Sequence, residues 1–371
     1  ALAILGVLKK SIMMIKSRII IAISLVGLMG CSNDNDISQT NDVNKEQENV
    51  FFSNPIISER LPDPSIIHAS DGYFYVYATQ KNEIYIPIYK STNMIEWEYV
   101  GAAFKLKPEW QPNTRLWAPD INYINGKYVL YYSLGNWDKP KESCIGVAVS
   151  DYPNGPFVDK GKLLDYNTGN MQCIDPYYYE EDGKKYLFWG SFKNGSKNYE
   201  GGIRFVELNN DGLSIKNETI SDKIAGPLIE GISIHKHNGY YYLFGSTGNC
   251  CDGGKSTYRV LVGRSKNIAG PYVGKDGNIM NNNSQYNEVI LESNSLFAGP
   301  GHNSEIITDD KGDDWILYHA WQRSKISKDR QLMCDQILWS SDDWPYFVDS
   351  APSKKSRIPF FNDKKNIKGE F

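Results

Sequence analysis

Three acidic residues far apart in the chain, Asp63, Asp175 and Glu230, stand at matching points of a repeated motif. Two carboxyl groups facing each other across a sugar site can hydrolyse a glycosidic bond. One protonates the leaving oxygen; the other activates water or attacks the sugar directly. A third carboxyl near the acid raises its pKa by like-charge repulsion and keeps it protonated near neutrality. A metal centre would draw its ligands from closer sequence clusters. No GxSxG elbow, P-loop or HExxH occurs, so esterase, kinase and zinc-protease chemistry has no support. Spacing alone leaves a second reading open. Acids crowded at one place are expensive unless paired or functional, and these could instead hydrogen-bond neighbouring structural elements.

The elements that must bring the acids together are five copies of one pattern: a short polar motif, a Gly turn and an aromatic-rich strand. They are LPDPSIIHASDGYFYVYA (61–78), RLWAPDINYINGKYVLYYS (115–133), QCIDPYYYEEDGKKYLFWGS (172–191), IEGISIHKHNGYYYLFGS (229–246) and PGHNSEIITDDKGDDWILYHA (300–320). The turn glycines Gly72, Gly126, Gly183, Gly239 and Gly312 lie about 55 residues apart, with a longer last gap. Self-similarity at roughly this period marks a radial β-propeller, so an all-β, five-bladed propeller is expected. Asp-Gly and Asn-Gly turns between apolar runs are strong hairpin signals, and no sustained 3.6-residue apolar period argues for helix. Propeller blades run from inner to outer strand, which places the motif starts near the axis. Counting back from the turn glycines puts Asp63, Asp175, Glu230 and His302 in one slot, within a residue or two. Trp117 fills that slot in the second copy, and Asp120, three residues on, is expected to be structural. A second repeated element, SDYPNGPF (150–157) and SKNIAGPY (265–272), with a shorter relative at 91–97, should turn the chain into each outermost strand.

The whole chain bounds the partners. It has 371 residues, a formal charge of −4 and a pI near 5.8, with no basic field to suggest nucleic acid. Aromatics reach 13%, including 25 Tyr and 9 Trp; their apolar faces and polar edges suit sugar rings as well as sheet packing. Lys16 and Arg18 precede a 12-residue apolar run, Ile19 to Gly30, too short to span a bilayer. The run ends in Leu28-Met29-Gly30-Cys31, which resembles a bacterial lipoprotein signal with translation starting at Met13 or Met14. Residues 1–31 are therefore expected to be a signal peptide with its lipidated cysteine, 32–54 a disordered polar tether, 55–350 the propeller and 351–371 a C-terminal tail. The expected partners are a sugar polymer and, through the lipid anchor, a cell-envelope membrane; a monomer is expected. The five remaining cysteines form no disulfide framework, and Cys250-Cys251 are expected to be two free thiols.

Together, LPDPSII, RLWAPDI, CIDPYYY, Glu230-Gly231 and GPGHNS resemble glycoside hydrolase family 43, five-bladed propellers that hydrolyse with inversion. The stretch from Cys250 to Met280 is similar to the family's endo-α-1,5-L-arabinanase branch. The resemblance spans roughly residues 58–346. It implies Asp63 as the general base, Glu230 as the general acid and Asp175 as the group that tunes and orients that acid. It further implies that His302 holds a hydrated calcium ion in the central channel. Sugar contacts would fall to Trp117, Gln172, Cys173, Ile174, Ser191 and Phe192.

Several positions depart from that branch. Pro62 stands where a His usually precedes the base, Glu230-Gly231-Ile232 replaces Glu-Ala-Pro, and Asn281 to Ser284 replace a Gly-rich run. The acids are untouched, but linkage and chain-length preference are open. The leading expectation is an inverting hydrolase of α-1,5-L-arabinan. An exo-acting α-L-arabinofuranosidase or β-xylosidase is the alternative within the class, and a non-catalytic glycan-binding propeller lipoprotein the alternative outside it.

Overall fold

A computed structural model describes residues 50–169, 171–191, 201–217, 219–281 and 288–362. Five antiparallel sheets follow one another along the chain. The first contains Ser65–His68, Phe74–Tyr77, Tyr85–Ser91 and Glu98–Phe104; the second contains Arg115–Ile124, Lys127–Gly135, Cys144–Ser150 and Val158–Asp165. The third has three strands among the described residues, Tyr177–Glu181, Lys184–Ser191 and Gly202–Leu208, and the fourth has Glu230–His237, Tyr240–Thr247, Arg259–Ser265 and Val289–Leu291. In the fifth, Phe297–Gly301 and Ile306–Thr308 both pair with Asp314–Gln322, which pairs with Arg330–Trp339. The outer place in that last sheet is taken by Ile57–Arg60, from before the first blade. The ring is thus closed by backbone hydrogen bonds between the two ends of the domain. The expected five-bladed propeller is present. Its paired structure reaches beyond the expected limits of 55 and 350, because Phe51–Ser53 pairs with Lys355–Arg357.

Each second strand is buried on both faces, which explains why its sequence reads as a run of aromatics rather than a clean alternation. Tyr128, Leu130 and Tyr132 pack toward the first blade, with Tyr77 and Ile88. Their neighbours Val129 and Tyr131 face the third blade, with Tyr178, Leu187 and Trp189. Three further clusters fill the remaining junctions, around Phe188 and Leu243, around Phe244 and Tyr318, and around Val76 and Leu317. The core is therefore five wedges, one per blade junction. Buried aromatics supply 150–250 Å² each to such wedges.

The second repeated element is also structural. Ser91, Ser150 and Ser265 each end a third strand, and each hydroxyl accepts the amide hydrogen two residues on. Gly155-Pro156 and Gly270-Pro271 are both cis, and Phe157 and Tyr272 that follow are buried.

At the axis the five copies share a backbone feature that side chains alone did not reveal. Asp63, Ala118, Asp175, Gly231 and His302 all lie in the left-handed region, with φ of 58°, 34°, 54°, 54° and 48°. That conformation is uncommon for non-glycine residues and persists where its surroundings fix it. Here each of four slot amides donates to a side chain on, or two residues beyond, the second strand of the preceding blade. Ala118 donates to Thr79 Oγ1 (2.8 Å), Asp175 to Ser133 Oγ (2.9 Å), His302 to Ser246 Oγ (2.8 Å) and Asp63 to His319 Nδ1 (3.1 Å). The slot is thus one residue past Trp117 and Glu230, which enter the ring from the preceding position.

Ser133 is fully buried, so Ser133→Ala leaves the Asp175 amide without its acceptor. The expected cost is about 1–3 kcal/mol of stability, read as a lowered melting temperature, and an unchanged melting temperature would contradict the latch.

Candidate active site

Asp63, Asp175 and Glu230 line one cavity of about 380 Å³, within the range of small-ligand sites. Residues 55 to 167 positions apart in sequence therefore converge because three blades deliver their first-strand starts to one end of the channel.

The surroundings of Asp63 favour its ionised form. Burial pushes its carboxyl up, but the Arg330 guanidinium and the neighbouring His302 outweigh this and leave it well below the usual carboxylate range. Arg330 Nη1 lies 3.3 Å from Oδ1, and Thr79 Oγ1 donates to Oδ2 at 2.6 Å. His319 Nδ1 is 3.2 Å from Asp63 Oδ1, yet it already accepts the Asp63 amide hydrogen. It therefore has no proton to give the carboxylate, and the contact is not an ion pair. Burial agrees: it lowers the His319 pKa to about 4, so the ring is neutral.

Asp175 has the opposite environment. Burial first, then the charges of Glu230 and Asp63, push its pKa well above the usual range; the Gly231 amide and Arg330 offset only part of this. A buried carboxyl beside a half-buried one that interacts with it in this way holds a proton to higher pH than an isolated one. Tyr258 Oη donates to Glu230 Oε1 at 2.9 Å, and the Tyr258 ring stacks on His319 at 5.7 Å. The absence of a side chain at Gly231 matters here. A Cβ would lie 2.7 Å from His302 Nδ1, so the residue after Glu230 must be glycine for the two blade starts to meet.

The sugar contacts implied by resemblance divide. Trp117 and Ile174 line the cavity. Trp117 lies against Gly135, where a Cβ would stand 2.0 Å from its Cε3. Gln172, Cys173 and Ser191 do not line it: all three are fully buried. Ser191 donates to Gln172 Oε1 and Gln172 donates to Ser143 Oγ, while Cys173 packs in the wedge between the second and third blades. They support the wall behind Ile174 rather than contact a ligand. Phe192 lies outside the described residues. Asp120 is buried away from the cavity, accepting the Tyr178 amide at 2.7 Å, as expected for a structural carboxylate.

Other cavity residues were not singled out from sequence: Arg60, Arg115, Arg330, Trp137, Tyr258 and the Cys250-Cys251 pair. The rings of Trp117 and Trp137 lie 6.5 Å apart. Charge balance was a usable signal for Arg330, since three converging acids require a cation. Cys250 and Cys251 are joined as a disulfide, which corrects the expectation of two free thiols: adjacent in sequence and held in one tight loop, they are brought together by the backbone itself. His302 lines the cavity with Nδ1 3.5 Å from Asp63 Oδ1. Burial first, and Arg330 after it, hold its pKa below the usual histidine value despite Asp63, so its imidazole is available as a ligand. Among the described residues His302 belongs to no cluster of three metal-ligating side chains. Calcium takes six to eight oxygens; a calcium ion here fits only as a hydrated ion held through His302.

Comparison with known proteins agrees with this geometry. The model of glycosyl hydrolases family 43 matches residues 52–345. The chain belongs to that family. It is 31% identical over 314 residues to an extracellular exo-α-(1→5)-L-arabinofuranosidase of Cellvibrio japonicus, covering 76% of this chain and 85% of that protein. It is 30% identical to an extracellular endo-α-(1→5)-L-arabinanase of Bacillus subtilis, covering 78% and 88%. Among solved structures, the α-L-arabinanase of Cellvibrio cellulosa complexed with arabinohexaose superposes with a TM-score of 0.68 at 28% identity, over 79% of this chain and 98% of that one. Family 43 membership accounts for the propeller.

The opposed environments of Asp63 and Asp175 set the pH dependence. A base held ionised by Arg330 places the acidic limb of kcat/KM below the ordinary Asp pKa of about 3.9. Arg330→Gln removes the cation, raises the Asp63 pKa and moves that limb to higher pH. An acidic limb unmoved in Arg330→Gln would remove Asp63 from the role of base.

Proposed function

We propose that this family 43 chain is an inverting hydrolase of α-1,5-linked L-arabinan acting in carbohydrate catabolism. One observation carries the reading: Asp63, paired with Arg330, shares a cavity with Glu230 and with Asp175, whose carboxyl burial and Glu230 push well above the usual range. Asp63 takes a proton from water on one side of the scissile bond, and Glu230 gives one to the leaving oxygen on the other. Water attacks the anomeric carbon as that bond breaks, so configuration inverts. The leaving sugar departs as an alcohol, Asp63 holds the proton from water, and exchange with solvent resets both groups. Asp175 acts through Glu230: repulsion between their ionised forms disfavours losing the last proton from the pair, so a proton is held for the leaving group. Trp117 and Trp137 present aromatic faces on which sugar rings can stack.

The substrate reading is supported by relatives named for arabinan, and endo action is the leading form. Exo action is kept as a second reading because the Cellvibrio japonicus relative is named for it. We also infer that His302 holds a hydrated calcium ion. When bound, such an ion supplies positive charge beside Asp63. The Cys31 motif, outside the described residues, supports lipid anchoring at the cell envelope, and the absence of a basic field supports a carbohydrate rather than nucleic-acid partner. We expect a monomer.

Incubation with linear arabinan, branched arabinan and xylan, followed by product sizing, tests the function. Short oligosaccharides from linear arabinan are expected; monosaccharide alone would indicate exo action. No products would leave only a glycan-binding propeller. Glu230→Gln is expected to lower turnover by at least ~10²-fold, and near-full activity would remove Glu230 as the acid. Asp175→Asn is expected to move the basic limb of the rate profile to lower pH, because the like-charge repulsion that holds a proton on the pair is removed. Chelation is expected to lower both rate and melting temperature if His302 carries calcium; no change in either would contradict it.

A further inference from the structure

At the opposite end of the fourth blade from Glu230, three side chains form a constellation that the hydrolytic site does not use. His235 and His237 alternate along the strand Glu230–His237 and so share one of its faces. Asp314 begins the strand Asp314–Gln322 of the fifth blade, beside the Gly312 turn. One ligand atom from each of the three lies within 4.8 Å of the others, and His235 Nε2 is 3.8 Å from Asp314 Oδ2. We propose that His235, His237 and Asp314 form a binding site for a divalent transition metal of the zinc class, bridging the fourth and fifth blades.

The donor set suits such an ion. Two imidazoles and one carboxylate are a ligand combination of zinc sites that keep an open fourth position. Tetrahedral zinc brings ligand atoms to roughly 3.3 Å from one another, so side-chain rotation of about 1.5 Å at most closes the present arrangement. The site is also oriented from behind, as metal ligands generally are. Thr308 Oγ1 donates to Asp314 Oδ1 at 2.6 Å, and Trp339 Nε1 donates to Oδ2 at 2.8 Å. His237 stacks on Trp339 with ring centroids 3.7 Å apart and planes 2° from parallel. Asp314 is buried while both histidines are half-buried, which gives an ion a route in. Five residues of strand separate His235 from Glu230, roughly 16 Å. The two sites are therefore independent, and neither reading rests on the other.

Titration calorimetry of the chelator-treated full chain with zinc chloride tests the proposal. We expect one zinc per chain and, at a hundredfold excess over Kd, a melting temperature raised by about 3 °C or more. The double variant His235→Ala/His237→Ala should lose both effects. Because that variant removes two packed rings, His237→Gln is measured beside it and should weaken binding at least ~10-fold. Absence of zinc binding by the unaltered chain would overturn the proposal. So would zinc binding that persists unweakened in the variants, since the ion would then sit elsewhere.

Discussion

Three carboxyl groups brought into one buried space repel one another, and the structure around the axis is organised by how that repulsion is relieved. Arg330 neutralises one charge, at Asp63. Burial and Glu230 push the Asp175 carboxyl well above the usual range, which favours its neutral form. The ion pair from Arg330 to Asp63 differentiates acids that the fold's pseudo-symmetry would otherwise leave alike. Two carboxyls of opposite proton preference in the same cavity follow from that asymmetry. Burial sharpens it, since both the ion pair and the like-charge repulsion act in a low dielectric.

Holding charged groups this way requires a rigid ring. The slot residues adopt left-handed backbone in all five blades, and four of their amides are latched to the preceding blade through Thr79, Ser133, Ser246 and His319. The wedges of apolar side chains fix the blades; the latches fix the backbone that carries the acids. His319 does two jobs, accepting the Asp63 amide and stacking on Tyr258, which in turn binds Glu230. Asp63 and Glu230 are thereby connected through His319 and Tyr258. The pairing of Ile57–Arg60 with the fifth blade closes the ring on which all of this depends.

Much of this was legible in the sequence. The glycine-turn period gave the blade count, and the shared offset from those turns gave Asp63, Asp175 and Glu230. The offset blurred by one residue at Trp117 and Glu230, where pairing with the second strand shifts register and the left-handed residue follows rather than coincides. Gln172, Cys173 and Ser191 were misread because adjacency to a site in sequence does not set direction. Ile174 faces the cavity while its two predecessors turn into the wall. Arg330, Tyr258 and Trp137 were hidden for another reason. They come from third strands and loops outside the repeated motif, where no period aligns them with the acids. The Cys250-Cys251 bond could not be read from cysteine counting, which carries no information about loop geometry.

The most direct test of the account is a pH titration of side-chain carboxyl signals by ¹³C NMR, with Asp63 and Asp175 assigned by their loss in Asp63→Asn and Asp175→Asn. The account predicts that the Asp63 signal titrates below the ordinary Asp value of about 3.9 and that the Asp175 signal titrates well above it. The reverse order, or two carboxyls titrating together near the ordinary value, would contradict the claim that this hub separates a base from an acid.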